Sequence, residues 1–481
     1  MTPNSRNQNS KPYSSSRLRV FFHPYAHGRI SLFFLSVAIK LAASGIVGLG
    51  FYISSIPLSL LGTFLWVIWF VLISLVAVPA TDEYLKNRLP WLKSSAVVAT
   101  LVIFFIGSLW GTTSIILLSG SSGSNTLTRE APRFAGPIKD IFHYNDTTAL
   151  FQQAAENLIQ GKNPYAEANV VSASLSHDVS VFQITPLRRG LFADAFPYPG
   201  LNDLNAFWIE AEKHPEVIPV ELESRYIYPA GSFLILIPFL LVGIQDIRIV
   251  FALLVIISLM IVIRQTQREG RLVITLAFLV GLETITSIAA GDTGVLQFPF
   301  LLLAWIWWKK HWLASAIFLG LAITIKQVSW IYLLFYLVLV FREMGKNRFF
   351  STLSIVAGLF LLFNLPFIVL SPPLWISSLI SSVTDPIFPL GVGIITLVTS
   401  GLLVIKSALV FNLASILVLI AGLLWYYRNC RRYPYLGLVL AILPFFFAWR
   451  SLWGYLFFAD YIALACIITH EYYPQTSIQP T

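Results

Sequence analysis

Long apolar runs, separated by short polar segments, recur along the chain from Arg29 to His470. A run of about 17–25 apolar residues is long enough to cross a hydrocarbon core about 30 Å thick as a helix. Membrane-spanning strands would alternate apolar and polar residues over segments of about ten residues, whereas these runs are uninterrupted. The pattern therefore predicts an all-α polytopic membrane protein.

Twelve membrane crossings fit this pattern. The predicted spans are 29–54, 57–80, 95–118, 248–264, 271–290, 293–308, 312–326, 328–342, 349–371, 408–427, 434–448 and 452–470. Two further apolar stretches, 229–243 and 387–404, are predicted to be juxtamembrane or re-entrant helices, because a crossing at either would place a basic loop outside the cytoplasm. Protein or a water-filled cavity must surround such backbone at membrane depth.

Composition and charge set the predicted orientation. Hydrophobic residues make up 57% of the chain and charged residues 11%, against about 25% charged in soluble domains, which excludes an ordinary soluble enzyme. Segment 119–230 has 8 Lys and Arg against 13 Asp and Glu, a charge of −5, whereas the remainder has 24 against 10, a charge of +14. Short basic loops face the cytoplasm, so both termini are predicted to be cytoplasmic in a plasma-membrane protein.

The chain thus divides into five predicted segments. These are a disordered cytoplasmic tail (1–28), N-terminal transmembrane helices (29–118), an extracytoplasmic loop (119–247), a transmembrane core (248–471) and a second cytoplasmic tail (472–481). The loop is too long to be a simple connector. Within it, the spacing of apolar residues predicts an amphipathic helix on the outer membrane surface, with Asp146 as its N-cap and Gly161 at its C-terminus.

Ionisable residues collect at the outer ends of the predicted spans. They are Asp146, Asp246, Arg248, Asp292, Lys326, Asp385, Lys406 and Arg450, with Glu283 and Asp460 deeper. Such residues are costly in a membrane and usually pair or face a cavity. Internal salt bridges and ordinary interfacial charges are the alternative interpretation. The grouping on one side favours a wet cavity that opens outward.

A carboxylate beside two buried cations suits one chemistry in particular. The carboxylate can take the proton of an acceptor hydroxyl, while Lys and Arg hold a phosphate and stabilise its charge as it leaves. A lipid phosphate sugar would place its tail between the spans and its head beside Lys326 and Arg450. Three segments of the predicted extracytoplasmic loop are also distinctive: Tyr144-Asn-Asp146, Ala154-Ala155 and Gly161-Lys-Asn-Pro164-Tyr165.

These three segments resemble the first extracytoplasmic loop of glycosyltransferase family 87, polyprenol-phosphate-mannose-dependent enzymes of the GT-C superfamily. Further similar segments follow in the family's order: Tyr226-Ile-Tyr228-Pro229, Gly291-Asp292-Thr293-Gly294, Gly320-Leu-Ala-Ile-Thr-Ile-Lys326-Gln327, Asn364-Leu-Pro366 and Trp449-Arg450-Ser451. Their order and spacing carry the resemblance, which covers about 140–345 and is weaker beyond. Asp292 stands where the family usually has glutamine, and Gln327 where it usually has proline.

The resemblance implies a GT-C-like bundle of about 12 transmembrane helices with a large extracytoplasmic catalytic loop. It implies transfer of a hexose, mannose being expected, from a polyprenyl-phosphate sugar to a lipid- or glycan-borne hydroxyl, with inversion. Asp146 would be the catalytic base, and Lys326 and Arg450 would bind the donor phosphate. The residues implied for the sugar or acceptor site are Tyr144, Tyr165, Tyr228, Asp292 and Gln327. Membrane lipids are the other expected partners; no cofactor, metal or nucleic acid is expected.

Several alternatives stay open at this point. Asp140 and His143 compete with Asp146 for the role of base. Asp140, His143 and Asp146 could also ligate a metal if they were helical, although Pro137 disfavours this. Lys326 could instead pair with Asp292, Arg450 could extend to the membrane interface, and the tyrosines could be interfacial anchors. The two cysteines, Cys430 and Cys466, form neither a disulfide framework nor a metal cluster. Other possible functions are a transporter or lipid flippase, a membrane scaffold, and a polymerase or ligase of surface polysaccharides.

Overall fold

A computed structural model describes residues 28–52, 55–89, 144–456 and 458–472. The predicted tails, apart from Gly28 and Tyr472, lie outside the described residues, as do the predicted span 95–118, Asp140 and His143. In the described part, helices dominate, and a parallel pair of two-residue strands, β1 (Leu390–Gly391) and β2 (Arg450–Ser451), accompanies them. The prediction of a mostly helical protein is confirmed.

The first three helices form an N-terminal unit: α1 (Gly28–Tyr52), α2 (Ile56–Val76) and α3 (Ala80–Arg88). α1 and α2 pack along each other, and small residues allow the close approach. A Cβ atom on Gly62 would lie 2.5 Å from Val47 Cγ2, so glycine is required there. Without a hydrophobic driving force between helices in lipid, such close packing contributes much of the association.

Short helices occupy the polar segment between the N-terminal unit and the core. They are α4 (Asp146–Ile159), α5 (Val170–Ser176), α6 (Leu201–Ala211), α7 (Gly231–Leu234) and α8 (Ile237–Leu241). α4 packs against α5, α7 and α8. Its buried residues include Asp146, Gln152 and Asn157 as well as apolar ones, because other protein segments cover it on more than one side.

Twelve helices make up the rest of the described chain. They are α9 (Ile247–Gln265), α10 (Arg268–Val280), α11 (Leu282–Ala289), α12 (Gly294–Trp307), α13 (Trp312–Ile325), α14 (Val328–Met344), α15 (Lys346–Leu370), α16 (Pro372–Thr384), α17 (Thr396–Thr399), α18 (Leu409–Asn429), α19 (Leu436–Phe446) and α20 (Phe458–Ile467). α12 is buried along its whole length and packs against α9, α13 and α20. It is the central helix of the core.

Six of the described helices are long and apolar enough to cross a membrane: Gly28–Phe51, Ile56–Val76, Ile247–Gln265, Lys346–Leu370, Leu409–Asn429 and Trp453–Tyr472. The pair α10 and α11 would be a seventh span, bent by 56°. α12, α13 and α19 are apolar but shorter. The chain therefore has the helices of a membrane-spanning protein, and the number of twelve crossings stays a prediction.

Four stretches differ from the predicted spans or refine them. The predicted span 271–290 is broken at Gly281 into α10 and α11. α16 was not predicted; two prolines at its start fit the first helical turn, where no backbone donor is needed. The stretches 229–243 and 387–404 contain only short elements, as expected for segments that do not cross.

Polar residues lie near both ends of α12. At the C-terminal end of α12, Trp307 Nε1 donates to Gln265 Oε1 at 2.7 Å, and Thr266 and Thr469 share a 3.1 Å hydrogen bond between their hydroxyls. The N-terminal end of α12 adjoins Asp292 and Lys326. A 14-residue helix is about 20 Å long, so the loops near Gln265 and the turn at Asp292 are separated by most of an apolar layer.

Candidate functional site

Asp146 lies in the first turn of α4, and both ends of that helix are fixed by caps. Asn145 is the N-cap: its side-chain oxygen accepts from Thr148 N at 2.8 Å. The prediction that Asp146 itself is the N-cap is therefore wrong by one residue. At the other end, Gly161 has φ +76°, and Lys162 N donates to Asn157 O at 2.8 Å. This is a Schellman cap, as the glycine predicted.

The N-terminus of α4 is held against the turn that precedes α12. The Thr148 hydroxyl donates to the carbonyl of Gly291. Gly291 has φ +68°, and a Cβ atom there would lie 2.8 Å from Thr148 Cγ2, so the turn requires glycine for its conformation and for the close approach. Asp146 and Asp292 are brought to the same region of the molecule by this contact.

Asp292 and Lys326 form a long ion pair at the N-terminal end of α12. Lys326 Nζ lies 3.9 Å from Asp292 Oδ1, while it donates to Thr293 Oγ1 at 3.1 Å. Asp292 Oδ1 also accepts from Gly294 N at 2.8 Å. A Cβ atom on Gly454 would lie 2.6 Å from Asp292 Oδ2, so this second glycine leaves the space that the carboxylate occupies.

Two aromatic rings complete the surroundings of Lys326. Its Nζ lies 5.5 Å from the centre of the Tyr228 ring and 5.7 Å from that of Tyr455. The side chain is only 7% exposed. In the described part of the chain, the carboxylate nearest to it is that of Asp292, at 3.9 Å. Cation–π contacts stabilise a desolvated ammonium only by about 2 kcal/mol. Lys326 is therefore a buried cation that can still accept an anionic partner.

Tyr228 is positioned through its backbone by two of the predicted site residues. The Tyr165 hydroxyl donates to the Tyr228 carbonyl at 2.8 Å, and the Gln327 amide donates to the carbonyl of Ile227. Burial, with smaller contributions from Tyr455 and then from the carboxylates of Asp146 and Asp292, raises the pKa of Tyr228. Its hydroxyl is thus a protonated donor close to both carboxylates.

Arg450 reaches this region from β2. The β1–β2 pairing sets Arg450 opposite Leu390. Its charge acts on Tyr455, as does that of Asp292, and Arg450 Nε is buried without a hydrogen-bond partner among the described residues. Tyr455 thus lies near Lys326 and within range of the Arg450 charge.

Arg450 also adjoins an acidic pair, Glu223 and Asp385, of which the sequence singled out only Asp385. Burial, and then the negative charge of Asp385, raises the pKa of Glu223 from 4.5 to about 7, while the charges of Arg225 and Arg450 act in the opposite direction. Asp385 is held by Arg189, whose Nη2 lies 2.7 Å from Asp385 Oδ1. Glu223 stands in a mixed polar segment without helical or strand periodicity, so no local pattern singles it out.

The structure thus brings together most, but not all, of the predicted site residues. Asp146, Tyr228, Asp292, Lys326 and Arg450 converge, whereas Tyr165 and Gln327 act through the backbone at 227–228.

Tyr144 belongs to a different network. Its hydroxyl donates to Asp246 Oδ1 at 3.0 Å and accepts from Ile247 N at 3.1 Å, and its ring lies 4.8 Å from that of His177. Tyr144 therefore anchors the start of α4 to the start of α9, and this structural role differs from the predicted one.

The described residues contain no group of three or more His, Cys, Asp or Glu side chains that could hold a metal ion. Two of the three residues of the alternative metal hypothesis, Asp140 and His143, lie outside the described part. No protein-family model, curated protein sequence or solved structure matches the chain.

Proposed function

We propose that this protein is an integral membrane glycosyltransferase. It moves a hexose, with mannose as the first candidate, from a polyprenyl-phosphate sugar to a hydroxyl on a lipid or glycan acceptor, with inversion at the anomeric carbon. The resemblance to family 87 suggests the donor and the reaction. The residue types at the site, a carboxylate and two cations, support this proposal.

The observation that carries the proposal is the state of Lys326. This ammonium is buried at one end of an apolar bundle, yet its carboxylate neighbour stands 3.9 Å away. A buried cation without a close counter-ion is costly, and a lipid-borne phosphate would supply that counter-ion. The polyprenyl chain would extend along the apolar helices, while the phosphate lies between Lys326 and Arg450.

Asp146 is the proposed general base. Its Oδ1 accepts from Thr147 N at 2.7 Å and from the Thr147 hydroxyl at 3.2 Å, which fixes the carboxylate rotamer. The carboxylate takes the proton of the acceptor hydroxyl as that oxygen attacks the anomeric carbon. The bond from this carbon to the phosphate oxygen breaks, and the phosphate leaves with the electron pair.

The two cations stabilise the leaving phosphate. Negative charge grows on the bridging oxygen as the sugar departs, and Lys326 and Arg450 are preorganised to meet it. Arg450 Nε is buried and has no hydrogen-bond partner in the described part of the chain, so a phosphate oxygen would satisfy it. Tyr228 and Asp292 would bind sugar hydroxyls as donor and acceptor.

The test is transfer of a labelled hexose from synthetic polyprenyl phosphate to a membrane lipid extract by the purified protein. Asp146→Asn keeps the size of the side chain but cannot take a proton, so turnover should fall by about 10²–10⁴ with donor affinity largely unchanged. Asp203→Asn is the matched control, because Asp203 is exposed in the first turn of α6, and it should keep wild-type turnover.

Two results would overturn the proposal. If the wild-type protein transfers no hexose from any polyprenyl-phosphate donor offered, the reaction is wrong. If Asp146→Asn transfers at the wild-type rate, the assignment of the base is wrong, and Asp140→Asn becomes the next variant to measure.

A further inference from the structure

A second group of charged residues lies inside the bundle, away from the candidate site. Lys40 of α1 places its Nζ 2.6 Å from Asp460 Oδ2 of α20 and 3.4 Å from Glu283 Oε1 of α11. The three side chains are 2%, 2% and 6% exposed. We call Lys40, Glu283 and Asp460 the buried triad.

The buried triad lies near the middle of the apolar layer. Arg29, at the start of α1, contacts Asp82 and Glu471 at one end of the bundle. Lys40 follows eleven residues later in the same helix, which corresponds to about 16 Å along its axis. Half of a hydrocarbon core is about 15 Å thick, so the triad stands at a depth where charge is most costly.

The charges of the buried triad do not balance. One ammonium and two ionised carboxylates would leave a net charge of −1 on side chains that are at most 6% exposed. Moving such a charge from water to an apolar interior costs several kcal/mol even after relaxation. One additional positive charge is therefore required, and it must come from a proton or from a bound cation.

The contacts of the two carboxylates differ in a way that selects Glu283. Asp460 has a close ammonium partner, and its Oδ1 accepts from Tyr461 N at 2.6 Å. Glu283 Oε1 is buried and, although Lys40 Nζ lies 3.4 Å away, it makes no hydrogen bond among the described residues; the buried Ser287 hydroxyl, one turn further along α11, makes none either. The surroundings of Asp460 therefore suit an ionised carboxylate. Those of Glu283 suit a neutral carboxylic acid next to the Ser287 hydroxyl, which is free to accept a hydrogen bond.

The groups that face the buried triad favour a proton over a metal cation. From α2, the Trp69 ring lies 5.7 Å from Lys40 Nζ. From α14, the buried Tyr332 hydroxyl lies within range of the Asp460 charge but has no hydrogen-bond partner among the described residues. A second cation between the carboxylates would stand next to the Lys40 ammonium and be repelled by it. A proton on Glu283 neutralises the excess charge without this repulsion.

We propose that the buried triad is a proton-binding site within the membrane-spanning bundle, in which Lys40 and Asp460 form an ion pair and Glu283 carries the proton. The site does not depend on the proposed glycosyl transfer. It makes the protonation of one carboxyl group a condition for joining α1 to α11 and α20.

Infrared spectroscopy of the substrate-free, full-length protein tests this directly. A protonated carboxylic acid has a carbonyl stretching band that is absent from a carboxylate, and labelling glutamate with ¹³C shifts the band only if a glutamate carries the proton. Because Glu223 is itself partly protonated near pH 7, all of these proteins, the wild-type reference included, carry Glu223→Gln. We expect this reference to show the glutamate band at neutral pH in a sodium-free buffer. Glu283→Gln should abolish it with little loss of melting temperature, because glutamine resembles the neutral acid.

Asp460→Asn gives a more specific prediction. Removing that carboxylate leaves one ammonium and one carboxyl group, so Glu283 should ionise and pair with Lys40. The glutamate band should then disappear although Glu283 is still present. The matched control is Glu269→Gln, in the exposed first turn of α10, and it should leave the band unchanged.

Three results would overturn the proposal. The first is a wild-type protein without the glutamate band, and the second is a band that survives Glu283→Gln. The third is a melting temperature that rises with sodium concentration in the absence of the band, which would make the triad a cation site. If Glu283→Gln does not fold, the wild-type band and its loss in Asp460→Asn still decide the matter, and none of these measurements involves a sugar donor.

Discussion

Lys40 and Lys326 are both buried, but their partners differ. Lys40 Nζ lies 2.6 Å from a carboxylate oxygen of Asp460. Lys326 Nζ donates to the Thr293 hydroxyl at 3.1 Å, and its nearest carboxylate oxygen, on Asp292, lies 3.9 Å away. A close ion pair stabilises a buried ammonium within the fold, and a distant one leaves it available to an anionic ligand. The same residue type therefore has a structural role at Lys40 and a proposed ligand-binding role at Lys326.

This difference predicts the behaviour of Lys326→Gln. Loss of a charged contact to phosphate should weaken donor binding by about 10–100-fold, and the melting temperature should change little because the Asp292 contact is long. Donor affinity and melting temperature should be measured for Lys326→Gln, Asp292→Asn and the double variant. Unchanged affinity, with a melting temperature that falls in Lys326→Gln and recovers in the double variant, would make the pair a structural salt bridge and remove Lys326 from the donor site.

Glu223 predicts a pH dependence of stability. The pKa of this carboxyl group is raised by burial, and then by Asp385, from 4.5 to about 7, so the folded protein binds a proton that the unfolded chain has already lost between these values. The free energy of unfolding should therefore fall as the pH rises from 4.5 to about 7, and the loss should be complete above this range. The contribution is about 3 kcal/mol.

Glu223→Gln tests this dependence, because glutamine cannot ionise. Unfolding measured at about pH 5 and about pH 8 should show a smaller decrease in the variant than in the wild type. Glu216→Gln, at a side chain that is 71% exposed, is the control and should keep the wild-type decrease. An equal decrease in wild type and Glu223→Gln would contradict the prediction.

At the scale of elements, the site depends on the contact between α4 and the turn before α12. Thr148 and Gly291 join two segments that carry the proposed base and the Asp292 carboxylate. Neither segment alone contains both carboxylates. The carboxylates come together because a threonine hydroxyl meets a carbonyl across the turn and a glycine permits the approach.

Gly291→Ala should therefore lower both stability and hexose transfer. The positive φ costs about 1–2 kcal/mol for alanine, and the new Cβ would also displace Thr148, whose Cγ2 would be 2.8 Å away. Gly243→Ala is the matched control, since Gly243 has φ +90° and open space around it. It should lose stability by the backbone cost but keep transfer. Equal transfer in the two variants would show that the α4 contact does not position the site.

At the scale of the whole molecule, ionic contacts attach the N-terminal unit to the core. Arg29 of α1 pairs with Glu471, just after α20, as well as with Asp82 of α3 inside the unit, and the buried triad links α1 to α11 and α20. Lipid surrounds apolar helices as favourably as other apolar helices do, so polar contacts of this kind specify which helices associate. The N-terminal unit is thus part of the bundle.

The orientation of the bundle is the prediction at this scale. A cysteine in place of Glu212, at the end of α6, should react with a membrane-impermeant reagent in intact cells, whereas one in place of Lys346, at the start of α15, should react only after permeabilisation. The natural Cys430 and Cys466 are buried, and the protein without an added cysteine gives the background labelling. The reverse labelling pattern would place the candidate site on the cytoplasmic side.

The helices themselves are largely determined by the sequence. Apolar runs and local caps are properties of neighbouring residues, so the runs 57–80, 248–264 and 408–427 predict helices that the structure contains at Ile56–Val76, Ile247–Gln265 and Leu409–Asn429. Gly161 likewise marks the end of α4. Hydropathy is less informative about breaks, and it places no boundary at Gly281 within the predicted span 271–290.

Only the tertiary structure decided which charged residues meet. The sequence pattern drew attention to Asp146, Asp292 and Lys326, but Glu223 and Lys40 carry no local signal beyond a charge. Lys40 contacts a residue 420 positions away in the chain, and hydropathy contains no information about such a distance. Long-range pairing depends on how helices pack, and this packing fixes which buried charges have partners and which remain able to bind a ligand or a proton.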